Sequence, residues 1–347
     1  MQHIDHADLL ADLTIRASRA ARQWQPGALI TDVRSLTGGS SSLTFIAQVS
    51  GQARTEPVVL KVAPPGLPPV RNRDVLRQGR VMNALQGAAN VAAPAVYFEH
   101  SGTPPEIPPF VAMQMVAGEC VEPLLDTSRT RDAATRAQTH ERFLDATRML
   151  AHLHRVEPSE IGLGGEPAVP LSEEIDRWTR AFETAPEDLQ GDYLSCAKAL
   201  HATIPEAVAP VVNHGDYRLG NTLCEGNRVT AIIDWEIWSV GDPRVDLTWL
   251  TYFTDEAGHP AAPPDEPCGT PTVAEVVRTY EQTLGSPVVD IDWFNALTRY
   301  KEAAATALLI KRARRAGTMT VEANPSFVRM EPMMPTLLSD ARALIGY

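Results

Sequence analysis

The sequence predicts an α+β chain whose strands lie in its first third and whose helices fill most of the rest. Short apolar runs separated by glycine, serine and proline indicate strands between Leu29 and Val116. After Gly118 most of the apolar residues recur with the spacing of helices. At 347 residues the chain is long enough for two lobes. We therefore predict an N-lobe over residues 1–116 and a C-lobe over residues 117–347.

The composition is typical of a globular protein, with 44% hydrophobic and 21% charged residues. A net charge of −12 argues against a nucleic-acid partner, because phosphate binding needs a basic surface. The N-terminus is polar and acidic, unlike a signal peptide, and no apolar run approaches the roughly 18 residues of a membrane span. Four widely spaced cysteines predict buried free thiols. We expect a cytoplasmic monomer or homodimer without a membrane partner.

The predicted N-lobe begins with a helix over residues 5–24 and continues with two strands, ITDVRSL and LTFIAQV. A Gly-Gly-Ser-Ser-Ser turn joins these strands, and the backbone N–H groups of such a turn can cradle phosphate oxygens. The turn lacks the G-K-[ST] ending of a P-loop, which disfavours a Walker-type NTPase. Further strands are predicted over residues 93–98 and over FVAMQMV, residues 110–116.

Lys61 interrupts the apolar run of the third predicted strand, EPVVLKVA over residues 56–63. An ammonium in a buried strand needs a partner, because burial of an unpaired charge is costly. Lys61 either extends to solvent from an edge strand or contacts nucleotide phosphates, as the lysine of the kinase motif V-A-I-K does.

The C-lobe pattern predicts helices over residues 135–156, two helices within 171–200, and helices over 273–284, 291–315 and 333–345. Trp178 and Phe182 lie on one of these helices and either pack in the core or line a pocket. The basic cluster KRARR, residues 311–315, ends a helix, where cations interact favourably with the helix dipole. Contact of this cluster with an anionic molecule is the second interpretation.

The most informative stretch runs from residue 211 to residue 250 and contains HGDYRLGN, then a predicted hairpin ending in IDWE, then GDPRVDL. A loop carrying His214 and Asp216 and a hairpin carrying Asn221 and Asp234 can direct all four side chains at one point. Phosphoryl transfer needs such a set: one Asp accepts the proton of an attacking hydroxyl, while an Asn and a second Asp hold magnesium. The spacing from Asp216 to Asn221 equals that of the kinase loop H-R-D-x-x-x-x-N.

HGDYRLGN, IDWE and GDPRVDLTWL resemble the aminoglycoside phosphotransferase family, and within it the branch similar to the kinase-like domain of some acyl-CoA dehydrogenase family members. The resemblance implies a bilobal protein-kinase-like fold with a small β-rich N-lobe and a larger, mostly helical C-lobe. It implies ATP, or GTP as the alternative, with Mg²⁺ as cofactors and a small-molecule hydroxyl as acceptor.

The resemblance also implies roles for individual residues. Asp216 would be the catalytic base, Asn221 and Asp234 the magnesium ligands, and Lys61 a phosphate contact. Residues Ser40, Ser41 and Ser42 would lie beside the phosphates, and the backbone of Gln114, Met115 and Val116 would meet the adenine. His214, Arg218 and Gln78 would have supporting or acceptor-side roles.

Several alternatives stay open at the level of sequence. Gln78 stands where the family commonly has the Glu that pairs with the lysine, so Lys61 would bond either Gln78 or Asp74. Asp246 would cap a helix or brace the catalytic loop through His214 or Arg218. Arg218 would otherwise face the acceptor.

The acceptor is either an aminoglycoside-like antibiotic or a hydroxyacyl-type metabolite, and an arginine beside the base favours an anionic molecule such as the latter. A catalytically inactive nucleotide-binding regulatory module is the alternative function, supported by the glutamine at position 78.

Overall fold

The computed structural model describes residues 6–36, 42–51, 55–126, 128–263 and 266–347. The chain divides into two compact units. Unit 1 contains residues up to Gly118 together with Thr230–Trp238, and unit 2 contains Glu119–Val229 and Ser239–Tyr347. The short segment 230–238, which includes the predicted magnesium ligand Asp234, therefore belongs with the N-terminal part of the chain.

Unit 1 is built on a five-stranded antiparallel sheet in the order β1-β2-β3-β5-β4. Its elements are α1 (His6–Trp24), β1 (Leu29–Ser35), β2 (Leu43–Ser50), β3 (Thr55–Val62), α2 (Val75–Ala84), β4 (Val96–His100) and β5 (Phe110–Gln114). Strand β5 ends two residues before the predicted boundary at Val116. Residues 38–41 of the predicted Gly-Gly-Ser-Ser-Ser turn lie outside the described residues, whereas its last residue, Ser42, is described.

Helix α1 covers one face of this sheet, because its apolar side chains recur every three or four residues and pack on the alternating inward residues of the strands. Helix α2 approaches β5 closely at Gly79, where an added Cβ would lie 3.1 Å from a methyl carbon of Val111. A side chain at position 79 would require the Val111 side chain to give way by a few tenths of an ångström. Lys61 pairs in register with Val111 and so lies on the sheet face that α2 approaches.

Unit 2 is mostly helical. Its elements are α3 (Ala133–His154), β6 (Ala168–Val169), α4 (Leu171–Glu183), α5 (Tyr193–Ala202), β7 (Val211–Asn213), β8 (Thr222–Glu225), β9 (Arg228–Ile232, whose last residues fall in unit 1), β10 (Ser239–Gly241), α6 (Arg244–Tyr252), α7 (Val273–Leu284), α8 (Ile291–Ala316), α9 (Pro325–Met330) and α10 (Met334–Leu344). Strands β6, β10 and β7 form a small three-stranded sheet. The sequence did not predict β6, β10 or α9.

Helix α8 lies at the centre of unit 2 and packs against α4, α5, α6 and α10. Its buried residues include Phe294, Leu297, Tyr300 and Ile310 together with a run of alanines, which let the neighbouring helices approach closely. Near its end, Lys311 donates to the Thr184 carbonyl and Arg314 pairs with Asp188 and Glu331. Two cations of the KRARR cluster are therefore bound within unit 2.

Two predictions from composition can be compared with the described residues. None of their helices has the length and apolar character needed to cross a membrane. The four cysteines are free thiols, but only Cys196, Cys224 and Cys268 are buried. The prediction of burial is wrong for Cys120, which is exposed and whose thiol lies 3.0 Å from the Gly220 carbonyl oxygen.

Candidate active site

In unit 1 the ammonium of Lys61 forms an ion pair with Asp234, with 2.6 Å between Nζ and Oδ1. Lys61 is only 8% exposed, so the carboxylate supplies the countercharge that a buried ammonium needs. Asp234 lies two residues after the end of β9 and has a positive φ of 63°, a conformation that Asp tolerates better than most residues. The turn at the end of β9 thus directs the Asp234 carboxylate at the central strand of the sheet.

The segment that carries Asp234 is fixed on unit 1 by contacts on both sides. The Ile232 N–H donates to the Ala92 carbonyl at 2.8 Å. The Arg77 guanidinium lies 3.9 Å from the centre of the Trp238 ring and donates to the Trp238 carbonyl at 2.8 Å. The Trp238 indole donates in return to the Arg77 carbonyl. Helix α2 and the IDWE segment are therefore held together by a reciprocal pair of residues.

The two partners predicted for Lys61, Gln78 and Asp74, are wrong, because both side chains bond elsewhere. The buried Gln78 amide donates to the Asn72 carbonyl at 3.2 Å. Asp74 caps the N-terminus of α2, where its Oδ1 accepts the Arg77 N–H at 3.0 Å. A glutamine carries no charge, so the ammonium pairs with the carboxylate of Asp234 instead.

Only some of the residues predicted to contact the nucleotide are described by the structure. Ser40 and Ser41 lie outside the described residues, while Ser42 is described and buried just before β2. Gln114 ends β5, and its backbone N–H donates to the Ala95 carbonyl at 2.7 Å. Residues Met115 and Val116 follow the strand, with Met115 43% exposed. Their contact with adenine stays a prediction.

In unit 2 the loop after β7 is held by Asp246 of α6. One carboxylate oxygen accepts the His214 N–H at 2.5 Å and the other accepts the Gly215 N–H at 2.8 Å. Burial alone would raise the pKa of Asp246, but the nearby His154, His214 and Lys301 outweigh it and lower the pKa below its ordinary value. Asp246 braces the loop through the backbone of His214, as one of the sequence interpretations expects.

The Asp216 carboxylate lies at the centre of this loop and accepts hydrogen bonds at both oxygens. Its Oδ2 accepts the side-chain amide of Asn221 at 2.7 Å, and its Oδ1 accepts the Trp249 indole N–H at 2.7 Å. The same Asn221 nitrogen also donates to the Asp216 carbonyl, because a short turn over Leu219–Asn221 brings it back. With four residues between them, Asp216 and Asn221 close a compact hydrogen-bonded ring within one loop.

His214 and Arg218 also lie beside Asp216. The His214 Nδ1 accepts the Asp216 N–H at 3.2 Å, which fits a role in shaping the loop. The Arg218 guanidinium lies between two carboxylates, 3.4 Å from Asp216 and 3.4 Å from Glu122. The suggested ion pair of Arg218 with Asp246 is wrong, because Asp246 is directed at the loop backbone.

The sequence did not single out Glu122, Trp249 or Lys301. Glu122 accepts the Gly220 N–H at 3.1 Å, and burial raises its pKa despite the nearby Arg218. Lys301 of α8 is buried and donates to the Gly215 carbonyl. A signal for it existed, since Lys301 lies four residues after Leu297 and seven after Phe294 on an apolar helix face.

The two candidates for an acceptor-side wall differ. Phe182 is buried in the core of unit 2 and stacks on Tyr193 with 5.1 Å between ring centres. Trp178 is half-buried, and the ammonium of Lys301 lies 5.8 Å from the centre of its ring. Of the pair, only Trp178 lies near a residue that contacts the catalytic loop.

The two predicted magnesium ligands lie in different units, Asn221 in unit 2 and Asp234 in unit 1. Asn221 uses its nitrogen for Asp216, which leaves its Oδ1 for another partner. Within the described residues no group of three or more His, Cys, Asp and Glu could hold a metal alone. Carboxylate and amide oxygens are ligand types that magnesium accepts beside phosphate and water oxygens, and the assignment of these two residues as its ligands stays a prediction. Convergence of Asp216, Asn221 and Asp234 on one point stays a prediction.

Comparison with curated proteins finds relatives that are much longer than this chain. Acyl-CoA dehydrogenase family member 11 of Gallus gallus is 30% identical over 244 residues, which are 66% of this chain and 29% of that protein. The chain thus spans less than a third of that relative's length.

Comparison with solved structures finds similarity over nearly the whole chain. A protein of Ralstonia eutropha described as "a putative aminoglycoside phosphotransferase" has a TM-score of 0.71 at 23% identity, with 98% of each chain covered. The streptomycin–ATP–APH(2")-IIa ternary complex has a TM-score of 0.54 at 16% identity, with 90% of this chain and 92% of that chain covered. The predicted kinase-like α+β fold is confirmed.

A protein-family model also matches this sequence. The model of the phosphotransferase enzyme family APH matches residues 32–285, a range that contains Lys61, the HGDYRLGN loop and the IDWE segment. The match covers well over half of the chain and agrees with the resemblance predicted from the motifs. The chain therefore belongs to the APH phosphotransferase enzyme family.

Proposed function

We propose that this protein is an ATP- and Mg²⁺-dependent phosphotransferase that moves the γ-phosphate to a hydroxyl group of a small molecule. The observation that carries the proposal is the Asp216 carboxylate, which is held by the Asn221 amide at one oxygen and the Trp249 indole at the other. A base must be fixed within hydrogen-bond reach of the hydroxyl that it deprotonates. Membership of the phosphotransferase family supports the same reaction class.

The proposed mechanism assigns a separate role to each residue of the site. Asp216 orients the acceptor hydroxyl and takes its proton, while Asp246 and His214 hold the loop in place. Lys61 contacts the α- and β-phosphates and returns to Asp234 when no nucleotide is bound. Asn221 and Asp234 would hold Mg²⁺, which would neutralise charge on the phosphate oxygens. Because the transition state is loose, positioning and electrostatics supply most of the rate.

The nucleotide is ATP in this proposal, and GTP is the alternative. The backbone of Gln114, Met115 and Val116 would bind the adenine, and Ser40, Ser41 and Ser42 would line the phosphates. ATP is named in the APH(2")-IIa complex whose fold the chain shares. Competition between the two nucleotides for binding would separate the choices.

For the acceptor we favour a hydroxyacyl thioester over an aminoglycoside. The support comes from the sequence similarity to acyl-CoA dehydrogenase family member 11, which exceeds the identity to the antibiotic phosphotransferase structures. The charge of Arg218 supports it less than the sequence suggested, since Asp216 and Glu122 both lie 3.4 Å from the guanidinium. An anionic acceptor would have to compete with these carboxylates.

An acceptor screen tests this choice. The protein is incubated with MgATP and either hydroxylated acyl-CoAs or aminoglycosides, and phosphorylated products are detected by mass spectrometry. We expect a phosphate adduct on a hydroxyacyl-CoA and none on the aminoglycosides. A product formed only from an aminoglycoside would reverse the acceptor assignment while leaving the reaction class in place.

The second candidate is an inactive nucleotide-binding module, and one observation favours it. Lys61 pairs with Asp234 while α2 offers the uncharged Gln78, so the usual pairing of this lysine with a helix carboxylate is missing. A thermal-shift measurement with ATP, combined with an assay of phosphate release, separates the two. ATP-induced stabilisation without phosphate release or acceptor phosphorylation would favour the module.

A further inference from the structure

Trp249 connects the candidate base to a buried cation. Its indole N–H donates to Asp216 Oδ1 at 2.7 Å, and the ammonium of Lys301 lies 3.6 Å from the centre of its ring. Both side chains are 95% buried, so neither interaction is screened by bulk water. The indole is thus placed with a carboxylate at its edge and a cation over its face, which are the two positions that suit its charge distribution.

Lys301 also fixes the peptide that precedes the base. Its Nζ donates to the Gly215 carbonyl, while the N–H of the same residue donates to Asp246 at 2.8 Å. Gly215 has a φ of +87°, which a residue with a side chain would adopt only under strain. Both polar groups of Gly215 are therefore bound by buried charged side chains from α6 and α8.

The charge of Lys301 is supported by its neighbours. Burial lowers the pKa of Lys301, and the carboxylates of Asp216, Asp246 and Glu174 oppose that effect. The ammonium can give one hydrogen bond to Gly215 and still interact with the Trp249 ring. A cation over the ring draws electron density from the indole and so strengthens the N–H as a donor to Asp216.

We infer that Trp249 and Lys301 are positioning residues for the Asp216 base, an inference that rests on the proposed function. Trp249 binds Oδ1 and Asn221 binds Oδ2, so the two donors together fix the rotation of the carboxylate plane. Lys301 acts one step further away, through the Trp249 ring and the Gly215 peptide. Lys301 lies outside the motifs that carry the family resemblance, while Trp249 lies in one of them, GDPRVDLTWL, without an assigned role.

Trp249→Phe is the sharpest variant, because phenylalanine keeps an aromatic ring beside Lys301 and removes only the indole edge with its N–H. We expect kcat for MgATP turnover, with water or the identified acceptor as phosphate acceptor, to fall about tenfold, as loss of one hydrogen bond to a charged group predicts. KM for ATP should stay within about twofold, since the nucleotide contacts are elsewhere. A purely packing role for Trp249 predicts wild-type kcat in this variant.

Trp293→Phe is the matched control. This tryptophan is equally buried in unit 2, and its indole donates to Leu200 and Thr203 rather than to the loop. It should lose stability to a similar extent and keep its kcat. An equal fall of kcat in both variants would contradict the inference.

Lys301 is tested by two substitutions that differ in charge. Lys301→Met keeps the length of the side chain and removes the ammonium, so kcat should fall. Lys301→Arg keeps a cation and should recover part of the loss. The effects of Lys301→Met and Trp249→Phe should not add in the double variant, because both act on the same carboxylate. Full additivity would show that Lys301 acts by another route.

A spectroscopic measurement keeps the inference testable whatever the turnover. The six tryptophans give indole N–H signals in a ¹⁵N-correlated NMR spectrum, and Trp249→Phe identifies the signal of Trp249 by its loss. This signal should shift in Asp216→Asn and in Lys301→Met, while that of Trp293 stays in place. No shift in either variant overturns the inference. If the shifts occur but Asp216→Asn keeps full turnover, the proposed function fails instead.

Discussion

Lys61 and Asp234 are 173 positions apart in the chain, yet their side chains lie 2.6 Å apart in unit 1. The ion pair joins the central strand of the sheet to the turn after β9. Both residues are assigned to the nucleotide and its metal in the proposed function. In the proposed function this ion pair would keep both charges neutralised in the absence of nucleotide, and MgATP would replace it.

Lys61→Met tests the assignment of the cation. The variant keeps the apolar stem in the sheet and removes the ammonium, so we expect kcat/KM for ATP to fall by about 100-fold or more. Steady-state kinetics with MgATP measure this. Lys198→Met is the control, because Lys198 is exposed on α5 and has no assigned role. Unchanged kcat/KM in the Lys61 variant would remove this residue from the nucleotide site.

Asp246→Asn is expected to destabilise the protein. The carboxylate accepts N–H groups at both oxygens, whereas an asparagine presents one oxygen and one NH₂ group, which would face a backbone donor. We expect the free energy of unfolding at pH 7 to fall by about 3 kcal/mol, measured by urea denaturation. Asp340→Asn on the exposed face of α10 should change it little.

The loss of stability caused by Asp246→Asn should depend on pH. The folded-state pKa of Asp246 lies below the ordinary value, so its stabilising contribution is present above that value and is lost as the pH falls through the folded-state pKa. The wild-type protein and the variant should therefore converge in stability at acid pH. A difference that stays constant down to the acid limit would contradict the role given to the ionised carboxylate.

Glu302 is expected to give stability the opposite pH dependence from Asp246, because its folded-state pKa is raised and not lowered. Burial raises its pKa from 4.5 to about 7, although the Thr306 hydroxyl donates to it at 3.0 Å and Lys301 is nearby. Between these two values the folded state holds a proton that the unfolded state has lost, so stability falls as the pH rises from about 4.5 to about 7.

Glu302→Gln removes this titration. The variant should resemble the wild-type protein near pH 4.5 and exceed it above pH 7, by an amount on the order of 3 kcal/mol. Melting temperatures recorded across this range measure the difference. His259 lies 3.8 Å from Glu302, and burial lowers its pKa to about 3, so it stays neutral throughout the range. Parallel curves for the two proteins would show that Glu302 is ionised in the fold.

The sequence predicted most of the elements and the residues of the catalytic loop, because these depend on local pattern. Asp216 and Asn221 are five positions apart and close their ring within one loop. Lys61 was found because it interrupts the apolar run of a predicted strand, and it is indeed buried. Strands β6 and β10 escaped prediction because two or three residues carry too little pattern, and only their neighbours make them strands.

The missed site residues depend on contacts between distant parts of the chain. Lys301 reaches Gly215 across 86 positions, and Trp249 reaches Asp216 across 33. The partner of Lys61 was sought on the following helix, but the packing of the IDWE segment on α2 supplies Asp234 instead. Helical periodicity could have placed Lys301 on an apolar face, but it could not have shown which loop that face covers.

Phosphoryl transfer by Asp216→Asn tests the central claim most directly. The substitution keeps the size of the side chain, and its one remaining oxygen can still accept a hydrogen bond from either Asn221 or Trp249, but the base is removed. With MgATP and the acceptor identified by mass spectrometry, we expect a loss of turnover of about 100-fold to 10,000-fold, with ATP affinity within about twofold of the wild-type protein. Wild-type turnover in this variant would show that Asp216 is not the base.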